Sequence, residues 1–189
     1  MSLFKVEDIV GREARVQSLS TPVSEAPLYV HGRKLDFFKT LPALAMGSTL
    51  HFTTHGKWST HELLAHLLEV SGPAQVDILT YSMTENPVRM LIDCLDRGSI
   101  VRIRVVTDKR FKTHQPKPYQ LATGQFPVYL TDNHAKVMLI YNAQWAMTVI
   151  GSANFTRNKR TEVGCIICDR QVMEHYRDNI DSIIHHAER

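Results

Sequence analysis

The sequence predicts an α/β fold in which a mixed β-sheet is flanked by helices. Three observations lead there. Apolar runs of strand length alternate with amphipathic helical stretches from about residue 48 onward. A strand, helix, strand order spans residues 75 to 106, the pattern of a parallel βαβ unit with a right-handed crossover. Two further apolar runs are separated only by Asn142-Ala143-Gln144, a tight turn that makes them an antiparallel hairpin.

Taken along the chain, residues 1–47 form an N-terminal extension in which Thr21-Pro22, Ala26-Pro27 and Leu41-Pro42 interrupt any long periodicity. Irregular structure with one or two short elements is expected there, and residues 48–189 form the domain proper. Thr49 to Thr54 suits a strand. Ser59 opens a helix on which Leu63, Leu64, Leu67 and Leu68 share a face, with Glu62 placed to complete a capping box and Ser71-Gly72-Pro73 to stop it. Gln75 to Tyr81 is a strand, and Asn86 to Arg97 a helix with Val88, Leu91, Ile92 and Leu95 as its apolar stripe. Ile100 to Val106 is a β-branched strand carrying alternating arginines. A long polar loop is expected from Thr107 to Gly124. Strands follow at Pro127–Leu130, Val137–Tyr141, Trp145–Ile150 and Glu162–Cys168, and a helix from Gln171 to His186 closes the chain.

At 189 residues and 43% hydrophobic content the chain can bury one substantial core. Its apolar runs fall well short of the roughly 20 residues of a membrane span, and Lys5, Glu7, Asp8, Arg12 and Glu13 break up any secretory h-region at the start. A soluble, cytoplasmic protein is the expectation. Three cysteines do not make a disulfide framework, and Cys165 and Cys168 lie in a run that reads as a buried strand, where thiols pack as small hydrophobes. The net charge of +3 identifies no partner by itself. Its distribution is more informative: Lys109, Arg110 and Lys112 form one basic cluster, and Arg157, Lys159 and Arg160 another.

Chemistry concentrates in His134-Ala135-Lys136, followed after the hairpin by Gly151-Ser152-Ala153-Asn154 and then Glu162. His134 and Lys136 are two apart at the start of a strand, so their side chains share a face. Gly151-Ser152 falls where the partner strand returns to the same end, bringing Ser152 and Asn154 back toward His134, and the glycine leaves the backbone room to approach a ligand. These are the groups that metal-free phosphodiester cleavage uses. An imidazole attacks phosphorus, while an ammonium and an amide neutralise charge on the phosphoryl oxygens. Glu162 is placed to hold the imidazole tautomer.

At these residues the sequence resembles the phospholipase D superfamily, whose signature is HxK, four residues, Asp, and then GSxN. Ile78 to Ser82 and Arg97 to Ile103 are similar to that family's first βαβ unit, and the resemblance covers about residues 48 to 185. It implies a phospholipase D-like fold with no cofactor and no metal. It also implies two HxK motifs per active site, one histidine attacking and one protonating the leaving oxygen. With a single clear copy here, the resemblance implies a homodimer with two His134 residues facing each other. The family's aspartate would fall at position 141, where this chain has Tyr141. His55-Gly56-Lys57 is a second HxK without a following GSxN, so His55 and Lys57 are read as a loop near the mouth of the site or as a surface turn.

Single-motif members of the family are often nucleases, which points to nucleic acid, DNA ahead of RNA, with Lys109, Arg110, Lys112, Arg157, Lys159 and Arg160 meeting the backbone phosphates. Phe111, Tyr119 and Phe126 are either base-stacking groups or packing anchors. The expected function is that of a nonspecific or structure-selective endonuclease. A phospholipid-hydrolysing or transferring enzyme, and a catalytically inactive nucleic-acid-binding relative, are the alternatives.

Overall fold

The computed structural model describes residues 28–31, 43–56, 58–157 and 159–187. Among the described residues, eight strands form one sheet in the order β1-β2-β8-β7-β6-β3-β4-β5. They are β1 (Leu28–His31), β2 (Thr49–Thr53), β3 (Ala74–Thr80), β4 (Ile100–Asp108), β5 (Val128–Thr131), β6 (Val137–Tyr141), β7 (Ala146–Gly151) and β8 (Val163–Cys168). Pairing is parallel for β1/β2, β3/β4 and β4/β5 and antiparallel for the other four neighbours, so the sheet is mixed as the sequence predicts. Within residues 1–47, the strand β1 forms the edge of this same sheet.

Period-two alternation divides the core between two faces. Val76, Ile78, Met138, Ile140, Met147 and Val149 point to one face, under helices α1 (Thr60–Ser71) and α2 (Glu85–Asp96). Leu79, Val106, Val137, Leu139 and Tyr141 point to the other, under helix α5 (Arg170–His186), whose Met173 and Ile180 are buried against them. Glu62 Oε2 accepts from the Ser59 backbone N–H at 3.0 Å, the predicted reach-back of a capping box. In the hairpin turn, Asn142 Oδ1 takes the N–H groups of Gln144 (2.9 Å) and Trp145 (2.8 Å). Cys165 and Cys168, an odd number of residues apart on β8, project to opposite faces and so cannot act as a pair.

The stretch expected to be a long polar loop is instead structured. β4 runs on to Asp108, and the chain then forms α3 (Arg110–His114) and α4 (Pro116–Thr123). Pro116 and Pro118 suggest loop in a sequence pattern, yet both sit in the first turn of α4, where a missing N–H costs nothing. Phe111 and Phe126 are buried in the first-face core, and Tyr119 packs on it with its ring 5.7 Å from Phe111. The aromatics are packing anchors.

Beneath α5 lies a polar network that the alternating arginines of β4 supply. Arg104 donates to both carboxylate oxygens of buried Asp77 at 2.7 Å and also pairs with Asp181 of α5. Tyr141 Oη donates to Asp77 Oδ2 at 3.0 Å and accepts from Arg102 Nη2 at 2.6 Å. Among the described residues no helix is long and apolar enough to cross a membrane.

Candidate active site at the upper edge of the sheet

Strand directions bring the informative residues to one edge. β2, β3, β4, β5 and β7 end there, while β6 and β8 begin there, so Thr54, Tyr81, Asp108, His134, Ser152 and Glu162 all belong to it. Outside the ends of parallel strands is where α/β sheets generally carry their sites. Tyr141, which stands where the family motif has aspartate, is at the opposite end of β6, within the network under α5.

His134 and Lys136 precede β6 rather than lie in it. Lys136 Nζ sits 3.3 Å from His134 Nδ1, and Gly151 N–H donates to the Lys136 carbonyl at 3.2 Å, so the GSxN segment starts directly opposite HxK. Burial lowers the Lys136 pKa from its ordinary value, and the charge of Glu162 opposes that shift. The Tyr81 ring is the common neighbour of the site: its centroid is 5.4 Å from that of His134, 6.0 Å from Lys136 Nζ and 5.0 Å from the Arg110 guanidinium.

Three buried polar groups fix the loops that carry these residues. Asn133 Nδ2 donates to the Thr80 carbonyl at 3.0 Å, and its Oδ1 accepts from Ala135 N–H at 3.0 Å, setting the turn that presents His134. Thr80 Oγ1 accepts from Phe155 N–H at 3.1 Å and ties down the end of the GSxN loop. Asp108 accepts from Arg110 N–H and Nε at 3.0 and 2.8 Å and from the Asn133 backbone, and this holds its carboxyl below the usual range, Arg110 being the main cause. Tyr81, Thr80, Asp108 and Asn133 escape the motif reading. The signals available were the position of Asn133 immediately before HxK and of Asp108 where an apolar strand meets a basic run.

Glu162 does not bond to His134 in this chain. Ser152 Oγ donates to Glu162 Oε2, and Val163 N–H donates to Ser152 Oγ at 3.1 Å, so the carboxylate is drawn to the β7–β8 side by the serine. The Asn154 Oδ1 atom is buried and has no hydrogen-bond partner among the described residues. A Cβ at Gly151 would meet the Val163 carbonyl oxygen at 3.0 Å, so the glycine lets β8 approach closely.

Of the two basic clusters, Arg110 is the residue that shares the Tyr81 ring with His134. Lys109 pairs with Asp132 at 3.8 Å, and Lys112 lies 5.9 Å from the Tyr119 ring centroid. Arg157, Lys159 and Arg160 are exposed on the β7–β8 loop, at the rim. His55 is exposed on a turn with φ of 48°, and the following Gly56 packs so closely on the Lys159 backbone that a Cβ would come within 2.2 Å of its oxygen. That turn therefore abuts the loop leading to Glu162; Lys57 lies outside the described residues. Among the described residues no group of three or more His, Cys, Asp or Glu is arranged to hold a metal.

A family model described as "Cardiolipin synthase, PLD-like domain" matches residues 64–184, well over half of the chain. No curated protein matches the sequence. Among solved structures, the phospholipase D family member Nuc from Salmonella typhimurium is similar with a TM-score of 0.61 at 19% identity, over 75% of this chain and 96% of that one. Polyphosphate kinase from Porphyromonas gingivalis gives 0.59 at 14% identity, over 89% of this chain and 30% of that one. Phosphatidylserine synthase from Haemophilus influenzae Rd KW20 gives 0.53 at 15%, over 74% and 39%. At these identities the likeness is one of fold, but the family match, the sheet order and the placement of HxK opposite GSxN agree, and the chain belongs to the phospholipase D-like domain family.

Proposed function

We propose that this member of a family of phosphodiesterases and phosphotransferases is a metal-independent endonuclease, with His134 as nucleophile in a site completed by a second copy of the chain. The observation that carries the reading is the convergence of His134, Lys136 and the Ser152–Asn154 loop at one sheet edge. The departure from the family motif, Tyr141, is at the other end of β6 and touches none of these groups.

In this scheme a ring nitrogen of His134 attacks phosphorus and the bond to the leaving oxygen breaks. That oxygen takes its proton from the partner's His134, and water then attacks the phosphohistidine, returning a proton to the same ring. Lys136 and the Asn154 amide lie against the phosphoryl oxygens, where donors fixed in advance stabilise the developing charge. Glu162 orients the Ser152 hydroxyl and sustains the charge of Lys136. In the free chain Lys136 Nζ faces His134 Nδ1, and an arriving diester draws the ammonium onto its own oxygens.

Nucleic acid is favoured over lipid by the cations around the site: Arg110 beside Tyr81, and Arg157, Lys159 and Arg160 at the rim. The apolar crevice beside Lys136, lined by Phe52, Trp58, Met138, Val149 and Phe155, is about 20 Å³ and offers no room for an acyl chain. A cytoplasmic, reducing setting agrees with Cys94, Cys165 and Cys168, all free thiols.

The test is incubation of wild type and His134→Ala with plasmid DNA in EDTA, beside a chromogenic phosphatidyl substrate. Nicking by wild type alone supports the proposal. Turnover of the lipid without nicking, or a strict requirement for divalent metal, refutes it.

A further inference from the structure

Arg110 is prepared for an anion that nothing in the motif chemistry assigns to it. Its backbone N–H and its Nε both donate to Asp108 Oδ1, and that carboxylate is buried and fixed again by the Asn133 backbone. The guanidinium plane is thereby set from behind. Its two Nη groups have no acceptor among the described residues, and the side chain is 61% exposed. A guanidinium oriented by a buried carboxylate with its outer fork open is the geometry for bidentate binding of phosphate. The fork lies on the Tyr81 ring, the same ring that contacts His134 and Lys136. Arg110 makes no hydrogen bond to either of those two residues; the Tyr81 ring is what relates them.

We infer that Arg110 binds the phosphate next to the scissile one along a nucleic acid strand, so that the site selects a polymer of phosphodiesters over an isolated diester. The inference rests on the proposed nuclease reading and adds to it the feature of the substrate that is recognised. Asp132, exposed beside the cluster and paired with Lys109, is the other carboxylate whose field reaches Arg110. It sits on the solvent side and leaves the fork open. Asp108 is the positioning residue: it touches no substrate and acts through the plane it gives to Arg110.

The experiment uses the full chain and short single strands in EDTA, with cleavage at a central linkage read from product length. In one strand the linkages flanking the centre are phosphates, and in the other they are neutral methylphosphonates. In the wild type, neutral flanks are expected to raise KM about tenfold, the effect of losing one charge-assisted contact. Arg110→Gln raises KM by the same factor on the natural strand, adds nothing on the neutral one, and leaves kcat within about twofold. Arg110→Lys, which keeps the charge but not the fork, recovers only part. Bis(p-nitrophenyl) phosphate, a diester without neighbours, is the control for the reacting centre. The inference is overturned if Arg110→Gln lowers kcat/KM on this ester by as large a factor as on the natural strand, or if the effects of variant and neutral flanks multiply. A wild type that cleaves no strand at all would instead remove the nuclease reading, an outcome distinguishable from both.

Discussion

Replacing Tyr141 by Phe separates the stability of this fold from its chemistry. Tyr141 is buried, and its hydroxyl bridges Asp77 at 3.0 Å and Arg102 at 2.6 Å while Asp77 keeps both bonds to Arg104. The variant removes one donor to a buried carboxylate and one acceptor for an arginine, and leaves the main ion pair in place. Hydrogen bonds to charged groups are worth roughly 1.5–3 kcal/mol, and Arg102 retains Gln75 as a partner at 2.7 Å, so a loss of about 2 kcal/mol is expected. For a chain of this size that lowers Tm by roughly 4–8 °C. The site is unaffected, because Tyr141 and His134 are separated by the length of β6, on the order of 15 Å. Urea unfolding followed by circular dichroism measures the first effect, and plasmid nicking in EDTA the second, with kcat/KM expected within twofold of wild type. A stable variant without turnover would show that position 141 takes part in catalysis and would refute the division drawn here. Unchanged stability would show that the network is not formed.

Asn133→Ala leaves the Thr80 carbonyl without its side-chain donor and the Ala135 N–H without its acceptor; it should cost about 1–3 kcal/mol and lower kcat more than it raises KM, as steady-state kinetics on a single strand will show. Lys136 must be charged to act, and burial places its pKa below the ordinary lysine value, so activity should fall as pH rises through that lowered value; Glu162→Gln removes the charge that raises it, and the alkaline limb of the pH–rate profile should move further down. The opposite movement would contradict the field assigned to Glu162. The same lowered pKa makes folding stability rise as pH rises from the folded toward the unfolded pKa of Lys136, a trend that equilibrium unfolding can follow and that Lys136→Met should abolish. Light scattering should give twice the chain mass of 21.6 kDa at working concentration, and a monomer that still nicks DNA would remove the shared site.

The fold was readable because its pattern is local. The leucine stripe of α1, the β-branched run of β4 and the Asn142 turn each identify themselves within a few residues, and the pairings β6/β7 and β3/β4 follow from one hairpin and one βαβ unit, whereas the β3/β6 pairing that joins them does not. The helices α3 and α4 were not readable, because Pro116, Pro118 and the polar run of residues 112–117 carry the composition of a loop, and only the burial of Phe111 and Ala122 reveals the packing. At the site, HxK and GSxN are contiguous and could be recognised. The groups that hold them come from separate strands: Thr80 ends β3, Asp108 ends β4 and Asn133 follows β5, and nothing in their spacing says that they meet. The partner of Glu162 is not legible for the same reason, since a carboxylate can be matched to a histidine by residue type but only register shows that Ser152 bonds to it.

The central claim is a covalent bond between His134 and phosphorus. Acid-labile, base-stable label from a phosphorus-labelled strand, trapped by a rapid denaturing quench in EDTA and located by mass spectrometry on the peptide containing His134, is the direct measurement. The account predicts labelling at His134 that approaches one adduct per two chains in wild type and none in His134→Ala. Turnover with no trapped adduct in the pre-steady-state burst, or label on another residue, would contradict it.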